Sequence, residues 1–172
     1  CRSAGRDDIG PHRCDRDSNR TAWYNRCGMA SETIVIDSTL SPDVAFDRLI
    51  DLERVPAWDR GVSASRLVDE SPGTVGARYE VVLTGFDGQP TTAQYELTAV
   101  GRLTFTMIGT HPDFRAEDTV TVVASTSGCR ITYDAGLVLL GDDPPISEDR
   151  LEATFAKLVA VVEDGLTSYL GD

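Results

Sequence analysis

The stretch SEDRLEATFAKLVAVVEDGLTSYL, residues 147–170, predicts a long amphipathic helix that closes the chain. Its large apolar residues recur at intervals of three and four, which places them on one helix face. We expect this face to be buried, and it comprises Leu151, Phe155, Leu158, Val159, Val162 and Leu166. Ser147 is placed to cap the helix, and Ile146 can close over Leu151 as a hydrophobic staple. Glu148 and Asp149 favour the positive end of the helix dipole.

A run of predicted strands joined by tight turns precedes this helix. Ser71-Pro72-Gly73, Asp87-Gly88 and Ser127-Gly128 are typical turn signals between β-rich segments. One further strand, rich in β-branched residues, comes before the run. The predicted strands are Glu32–Thr39, Val62–Asp69, Ala77–Gly85, Thr91–Val100, Leu103–Thr110, Phe114–Ser125 and Cys129–Leu140. Strands at this spacing indicate an antiparallel meander.

A short helical region separates the first strand from the others. Ser41 can cap a helix, and Pro42 fits its first position. Pro56 interrupts the region just before Trp58. Because this region is short, only the helix at residues 147–170 is long enough to cover the sheet. A sheet that wraps around a single helix leaves room between them, so we expect an internal cavity of about 300–1,000 Å³, the usual range of ligand sites.

Charge and composition divide the chain of 172 residues into two parts. Residues 1–28 contain six Arg and four Asp but almost no aliphatic side chains, so that residues 29–172 carry a net charge of −14. We expect residues 1–28 to be a disordered leader or an upstream or expression artefact, and residues 29–172 to fold as one domain. An acidic body repels nucleic acid and anionic membrane surfaces, and no segment is apolar enough for membrane insertion.

Cysteine usage favours a reducing compartment. Cys129 is the only cysteine of residues 29–172, whereas Cys1, Cys14 and Cys27 lie in the first 28 residues. A body with one cysteine forms no internal disulfide, so we expect a cytoplasmic protein. We expect it to be a monomer or a homodimer. The sequence has no ligand spacing typical of a metal site and no glycine-rich phosphate loop, so we expect no metal and no cofactor.

Several short motifs within residues 31–170 together resemble the START-like (SRPBCC) superfamily. They are Ile34–Ile36, Ser41-Pro42, Val44–Leu49, Pro56–Asp59, Val75-Gly76, and Ser127–Tyr133 with its Arg-x-Thr-Tyr pattern. The resemblance is closest to the branch of polyketide cyclases, dehydrases and lipid-transport proteins. It implies an α+β fold, the helix-grip, in which a curved antiparallel sheet of about seven strands surrounds a long C-terminal helix and two short helices follow strand 1. Members of this superfamily include lipid and hormone carriers and aromatase/cyclases.

Alternation along the strands identifies the side chains expected to line the cavity, because every second residue points to the same face. The predicted ligand-binding residues are Trp58, Tyr79, Val81, Tyr95, Phe105, Met107, His111, Tyr133, Leu137, Phe155, Val159 and Val162. We expect Trp58 or His111 to lie near a mouth, although for Trp58 we favour simple packing over a role at the mouth. The Gly85–Gln89 hairpin and the Gly141–Pro145 loop are further candidate gates.

The candidate catalytic residues are His111, Arg115 and Tyr133. His111 is the only histidine of residues 29–172 and can transfer protons near neutral pH, but we favour the interpretation that it is a residue of the turn before Pro112. Arg115 and Glu117 share one strand face and Asp118 points to the other, and we interpret these charges as a solvated face. The resemblance implies that cyclases use cavity Arg, Tyr and acidic groups to orient a poly-β-ketone.

Three functions are compatible with the sequence. The first is binding of a small hydrophobic or amphipathic ligand, such as a lipid, polyketide or isoprenoid. The second is a polyketide aromatase/cyclase or dehydratase that uses cavity Tyr, His and Arg groups, and the third is a protein-interaction module with a closed cavity. An enzyme needs an ionisable group in the cavity, and few besides Tyr and His111 are expected there. The sequence therefore favours a carrier.

Overall fold

Seven strands, one long helix and two short helices make up the part of the chain that the structure describes. A computed structural model describes residues 28–69, 71–141 and 146–171. The strands are β1 (Met29–Ser38), β2 (Val62–Asp69), β3 (Arg78–Thr84), β4 (Pro90–Gly101), β5 (Thr104–Thr110), β6 (Phe114–Ser125) and β7 (Gly128–Leu139). The helices are α1 (Pro42–Ile50), a 3₁₀ helix (Leu52–Ala57) and α2 (Glu148–Leu170). Our predictions for residues 1–27 and 142–145, and for the side chains of Glu148 and Asp149, lie outside the described residues.

The strands form one antiparallel sheet in the order β1-β7-β6-β5-β4-β3-β2. Strands β2 to β7 are a meander in which each strand pairs with the next one along the chain. Strand β1 then pairs along β7, from Met29 opposite Val138 to Ser38 opposite Cys129. The predicted α+β architecture, an antiparallel sheet with a long C-terminal helix and short helices after the first strand, is confirmed.

The two short helices cover one end of the sheet. Ser41 caps α1 by accepting a hydrogen bond from the backbone N–H of Val44 at 3.4 Å, and a proline opens the helix as predicted. Phe46 of α1 meets Phe105 of β5 edge to face, with ring centroids 6.0 Å apart. This end of the sheet is therefore filled by side chains of the fold itself.

Helix α2 packs its apolar stripe onto the sheet, with one exception. Leu151 and Leu166 are fully buried, and Phe155, Val159 and Val162 are nearly so. The prediction that Leu158 is buried is wrong, since 41% of this residue is exposed. Leu158 instead borders a cavity between α2 and the sheet. Ser147 occupies the predicted cap position, but its side chain makes no capping hydrogen bond.

The second half of α2 is held tightly against the loops at the short-helix end. A Cβ atom at Gly165 would lie 1.8 Å from the backbone oxygen of Trp58, so only glycine allows this approach. The Ser38 hydroxyl donates to the carbonyl oxygen of Leu170 at 2.5 Å. Arg48 donates to the carbonyl oxygen of Tyr169 at 3.2 Å. The first half of α2 lies over the opposite end of the sheet, where Leu151 approaches Gly28 just before β1.

Candidate functional site

A cavity of about 140 Å³ lies between the first half of α2 and the sheet. We call it the sheet–helix cavity. It is bounded by the ends of β2 and β3, by β4, β6 and β7, and by one face of α2. Of the predicted ligand-binding residues, those that line it are Tyr95, Tyr133, Leu137, Phe155, Val159 and Val162. The cavity is smaller than the volume expected from the sequence.

The other predicted residues lie in the hydrophobic core or behind the cavity wall. The predicted residues that do not line the cavity are Trp58, Tyr79, Val81, Phe105, Met107 and His111. Phe105 is covered by Phe46 of α1, so the face it shares with the cavity residues is occupied at that end. Trp58 packs edge to face against Tyr133, with centroids 6.2 Å apart, and lies under α2 at Gly165. It supports a cavity wall from behind.

His111 is held in the turn between β5 and β6. Its Nε2 atom lies 3.0 Å from the hydroxyl of Thr91, and its Nδ1 accepts the backbone N–H of Asp113 at 3.2 Å. The imidazole stacks on Phe114, with ring centroids 4.9 Å apart. Since Phe114 lines the cavity, His111 contacts the cavity wall from outside.

Arg115 lies on the outer face of β6, where its guanidinium is 3.5 Å from the Glu117 carboxylate. This pair matches the solvated face expected for these charges. Neither residue is among those that line the cavity.

Asp118 is a candidate site residue that the sequence reasoning missed. It is only 7% exposed and lines the cavity, so our interpretation of this charge as solvated is wrong. Burial raises the pKa of Asp118 to about 7, and the charges of Asp59 and Glu117 add to that effect. Hydrogen bonds from the Tyr133 hydroxyl and the Gly136 N–H act in the opposite direction. The signal was present, because Asp118 continues the buried alternation of β6.

A second carboxyl group reaches the cavity from the loop after the 3₁₀ helix. Asp59 lines the cavity and accepts the backbone N–H of Gly61 at 2.7 Å. Burial raises its pKa above the ordinary value. The two carboxyl groups thus come from separate elements and influence each other, since the charge on Asp59 contributes to the raised pKa of Asp118.

Two tyrosines complete the polar part of the lining. Burial raises the pKa of Tyr95, and the nearby Asp118 charge adds to the shift. The pKa of Tyr133 is raised for the same two reasons. The ring of Tyr95 lies against Gly109, where a Cβ atom would be 2.5 Å from the ring carbon Cζ. Gly109 therefore makes room for Tyr95, and both phenols stay neutral hydrogen-bonding groups.

Within residues 28–69, 71–141 and 146–171, no group of three or more His, Cys, Asp or Glu side chains is placed to hold a metal ion. No helix in the described part of the chain is long and apolar enough to cross a membrane.

Solved structures with the same fold span most of this chain. A START superfamily protein from Mycobacterium smegmatis has a TM-score of 0.68 at 11% identity, covering 83% of this chain and 96% of its own. The Zhui aromatase/cyclase from a Streptomyces species has a TM-score of 0.66 at 8% identity, covering 84% of this chain and 94% of its own. The major latex-like protein 151 from Panax ginseng has a TM-score of 0.61 at 14% identity, covering 84% and 99%. At these identities the likeness establishes the fold alone.

The sequence itself carries a family signature. No curated protein sequence matches the chain. The family described as "Polyketide cyclase / dehydrase and lipid transport" matches residues 29–167, which is most of the chain. This range contains every residue that lines the sheet–helix cavity. The chain therefore belongs to the polyketide cyclase/dehydrase and lipid-transport family, and its fold is the helix-grip that it shares with the START superfamily protein.

Proposed function

We propose that this protein binds a compact, mainly apolar small molecule in the sheet–helix cavity. The observation that supports the proposal is the lining: aliphatic and aromatic side chains surround a few convergent polar groups, which is the usual composition of a ligand site. Tyr95, Asp118 and Tyr133 supply those polar groups. Phe155 and Val159 of α2 supply apolar surface on the opposite side.

The volume limits the ligand. A cavity of about 150 Å³ accommodates a molecule of the size of benzene, and the sheet–helix cavity has about 140 Å³. It therefore fits a single ring or a short branched chain. A whole lipid or a polyketide of several rings would require the cavity to open by a movement of α2 away from the sheet. Leu158 of α2 lines the cavity and is exposed, so it lies on the side where such an opening would begin.

Binding can be tested with single-ring compounds and cavity-filling variants. Ligand-detected NMR and calorimetry should show saturable binding to the wild-type chain. Ala135→Trp fills the cavity and should abolish binding, and Ala116→Leu provides a milder filling if the first variant folds poorly. Ala124→Trp places the same large side chain at an exposed position of β6 and should leave binding unchanged. Equal binding by the wild type and both filled variants would contradict the proposal.

A second candidate function is proton transfer on a small carbonyl compound. Asp118 favours it, because a buried carboxyl group with a pKa of about 7 suits general acid–base catalysis at neutral pH. Asp118 would take a proton from the carbon beside a carbonyl group, while a tyrosine hydroxyl hydrogen-bonds the carbonyl oxygen. Enolisation of this kind opens cyclisation and dehydration reactions, and one structure of this fold is an aromatase/cyclase. The interaction-module alternative assumed a closed cavity, and we do not propose it.

Hydrogen–deuterium exchange separates the enzyme from the carrier. A small aryl ketone such as phenylacetone should exchange its acidic C–H protons faster with the protein than with buffer. Asp118→Asn should remove the acceleration, whereas Glu117→Gln, its exposed neighbour on the other face, should retain it. Exchange at the buffer rate, together with measurable ketone binding, would exclude the enzyme and leave the carrier.

A further inference from the structure

The polar lining of the sheet–helix cavity has one sign of charge. Asp59 and Asp118 both line it, whereas the described lining residues include no Lys, Arg or His. Arginines of the described sheet form ion pairs outside the cavity. Arg130 pairs with Asp37 and Arg66 pairs with Glu80, and both pairs lie on exposed strand faces. A ligand that enters the cavity therefore meets carboxyl groups without a neighbouring protein cation in the lining.

We propose that the sheet–helix cavity selects a protonated amine carried on a compact apolar body, and that it rejects the same body carrying a carboxylate. This inference rests on the proposed ligand-binding function and names the class of ligand. The ammonium group would lie between Asp118 and Asp59. The apolar body would lie against Phe155, Val159 and Leu137, which also line the cavity.

Electrostatics gives the reason for this selectivity. An ionised carboxylate buried without a cation is costly, and a hydrogen-bonded ammonium offsets that cost. A carboxylate ligand would add a third negative charge to a site that already holds two acidic groups.

Protons compete with the amine for the same carboxyl group. Burial keeps the pKa of Asp118 near 7 in the empty protein. The groups that face it are Asp59 from the loop after the 3₁₀ helix, Tyr95 from β4 and Tyr133 from β7, with Glu117 beside it on β6. An ammonium ion favours ionised Asp118, so amine binding should weaken as the pH falls below 7.

Three ligands with one ring test the proposal: benzylamine, benzyl alcohol and benzoate. At pH 8, calorimetry should show that benzylamine binds roughly 10- to 100-fold more tightly than benzyl alcohol, the range expected for a hydrogen bond to a charged group. Benzoate should bind more weakly than the alcohol. Asp118→Asn keeps the shape of the site and should remove the preference for the amine while retaining the alcohol. Glu117→Gln should keep the preference.

A pH series on the wild-type chain gives a second measurement that does not depend on a variant. The affinity for benzylamine should fall by up to about tenfold per pH unit below pH 7, while that for benzyl alcohol should not fall. Equal affinities for amine and alcohol, tighter binding of benzoate, or amine binding that does not change with pH would each overturn the amine proposal and leave ligand binding intact. Failure of all three compounds to bind would overturn both proposals.

Discussion

Replacing Asp118 with Asn should remove a pH dependence of stability that this carboxyl group imposes on the domain. The pKa of Asp118 is raised from 3.8 to about 7 by burial. Between these two values the folded state holds a proton that the unfolded state has released. The stabilisation from the protonated form is therefore complete below pH 3.8 and is lost as the pH rises through 7.

The size of the effect follows from the shift. Each pKa unit corresponds to about 1.36 kcal/mol, so the whole shift is worth about 4 kcal/mol. Between pH 5 and pH 8 the wild-type chain should lose roughly 2–3 kcal/mol of unfolding free energy through Asp118 alone. The Asn variant has a side chain of the same shape and no charge. The unfolding free energy of the variant should therefore rise relative to that of the wild type by 2–3 kcal/mol, roughly the same amount, between pH 5 and pH 8.

Urea unfolding at pH 5, 6, 7 and 8 measures this difference directly. Other carboxyl groups titrate in both proteins, so most of their contribution cancels when the variant is compared with the wild type. Glu117→Gln is the matched control, because this exposed neighbour on β6 points away from the cavity and its charge is the smallest of the causes that raise the pKa of Asp118. This variant should keep most of the wild-type pH dependence. Stability curves of wild type and Asp118→Asn that stay parallel from pH 5 to pH 8 would refute the assignment of a buried, proton-binding carboxyl group.

Three further substitutions test how α2 is packed. Phe155→Ala should cost about 3 kcal/mol in unfolding free energy because the ring is buried. Leu158→Ala, at the exposed edge of the same stripe, should cost less than about 1 kcal/mol. Equal losses for the two variants in chemical denaturation would contradict the orientation of the helix. Gly165→Ala should destabilise the fold by roughly 3 kcal/mol or more because its Cβ would collide with the backbone of Trp58. Helix propensity alone predicts a gain of about 1 kcal/mol for this change, so the sign of the measured shift decides between the two.

The sequence predicted the fold well because its signals are local. Turn residues such as Asp87-Gly88 mark the hairpins, and β2 and β6 begin and end at the predicted residues, Val62–Asp69 and Phe114–Ser125. The site was harder to predict, because its position depends on which end of the sheet each helix covers. Phe105 has the right strand face for a cavity residue but lies under Phe46. Nothing in the local pattern of β5 indicates where α1 will pack.

Asp118 shows a different limit of sequence reading. The alternation of β6 places it on the buried face with Phe114 and Val120, so its direction was predictable. Its charge argues against burial, because an isolated buried carboxylate is usually unfavourable. Functional sites are where this general preference fails, since they retain a buried polar group at a cost to stability.

The position of β1 in the sheet has a consequence for how the chain folds. Strands β2 to β7 can assemble hairpin by hairpin as neighbours in sequence. Strand β1 instead pairs with β7, and almost the whole domain lies between Met29 and its partner Val138. Closing so large a loop is entropically expensive, and folding rates fall as such distant pairings become more important. During synthesis β1 is the first of the seven strands to leave the ribosome, but it has no partner until β7 follows. Its apolar Ile34 and Ile36 therefore stay exposed while the intervening strands are made.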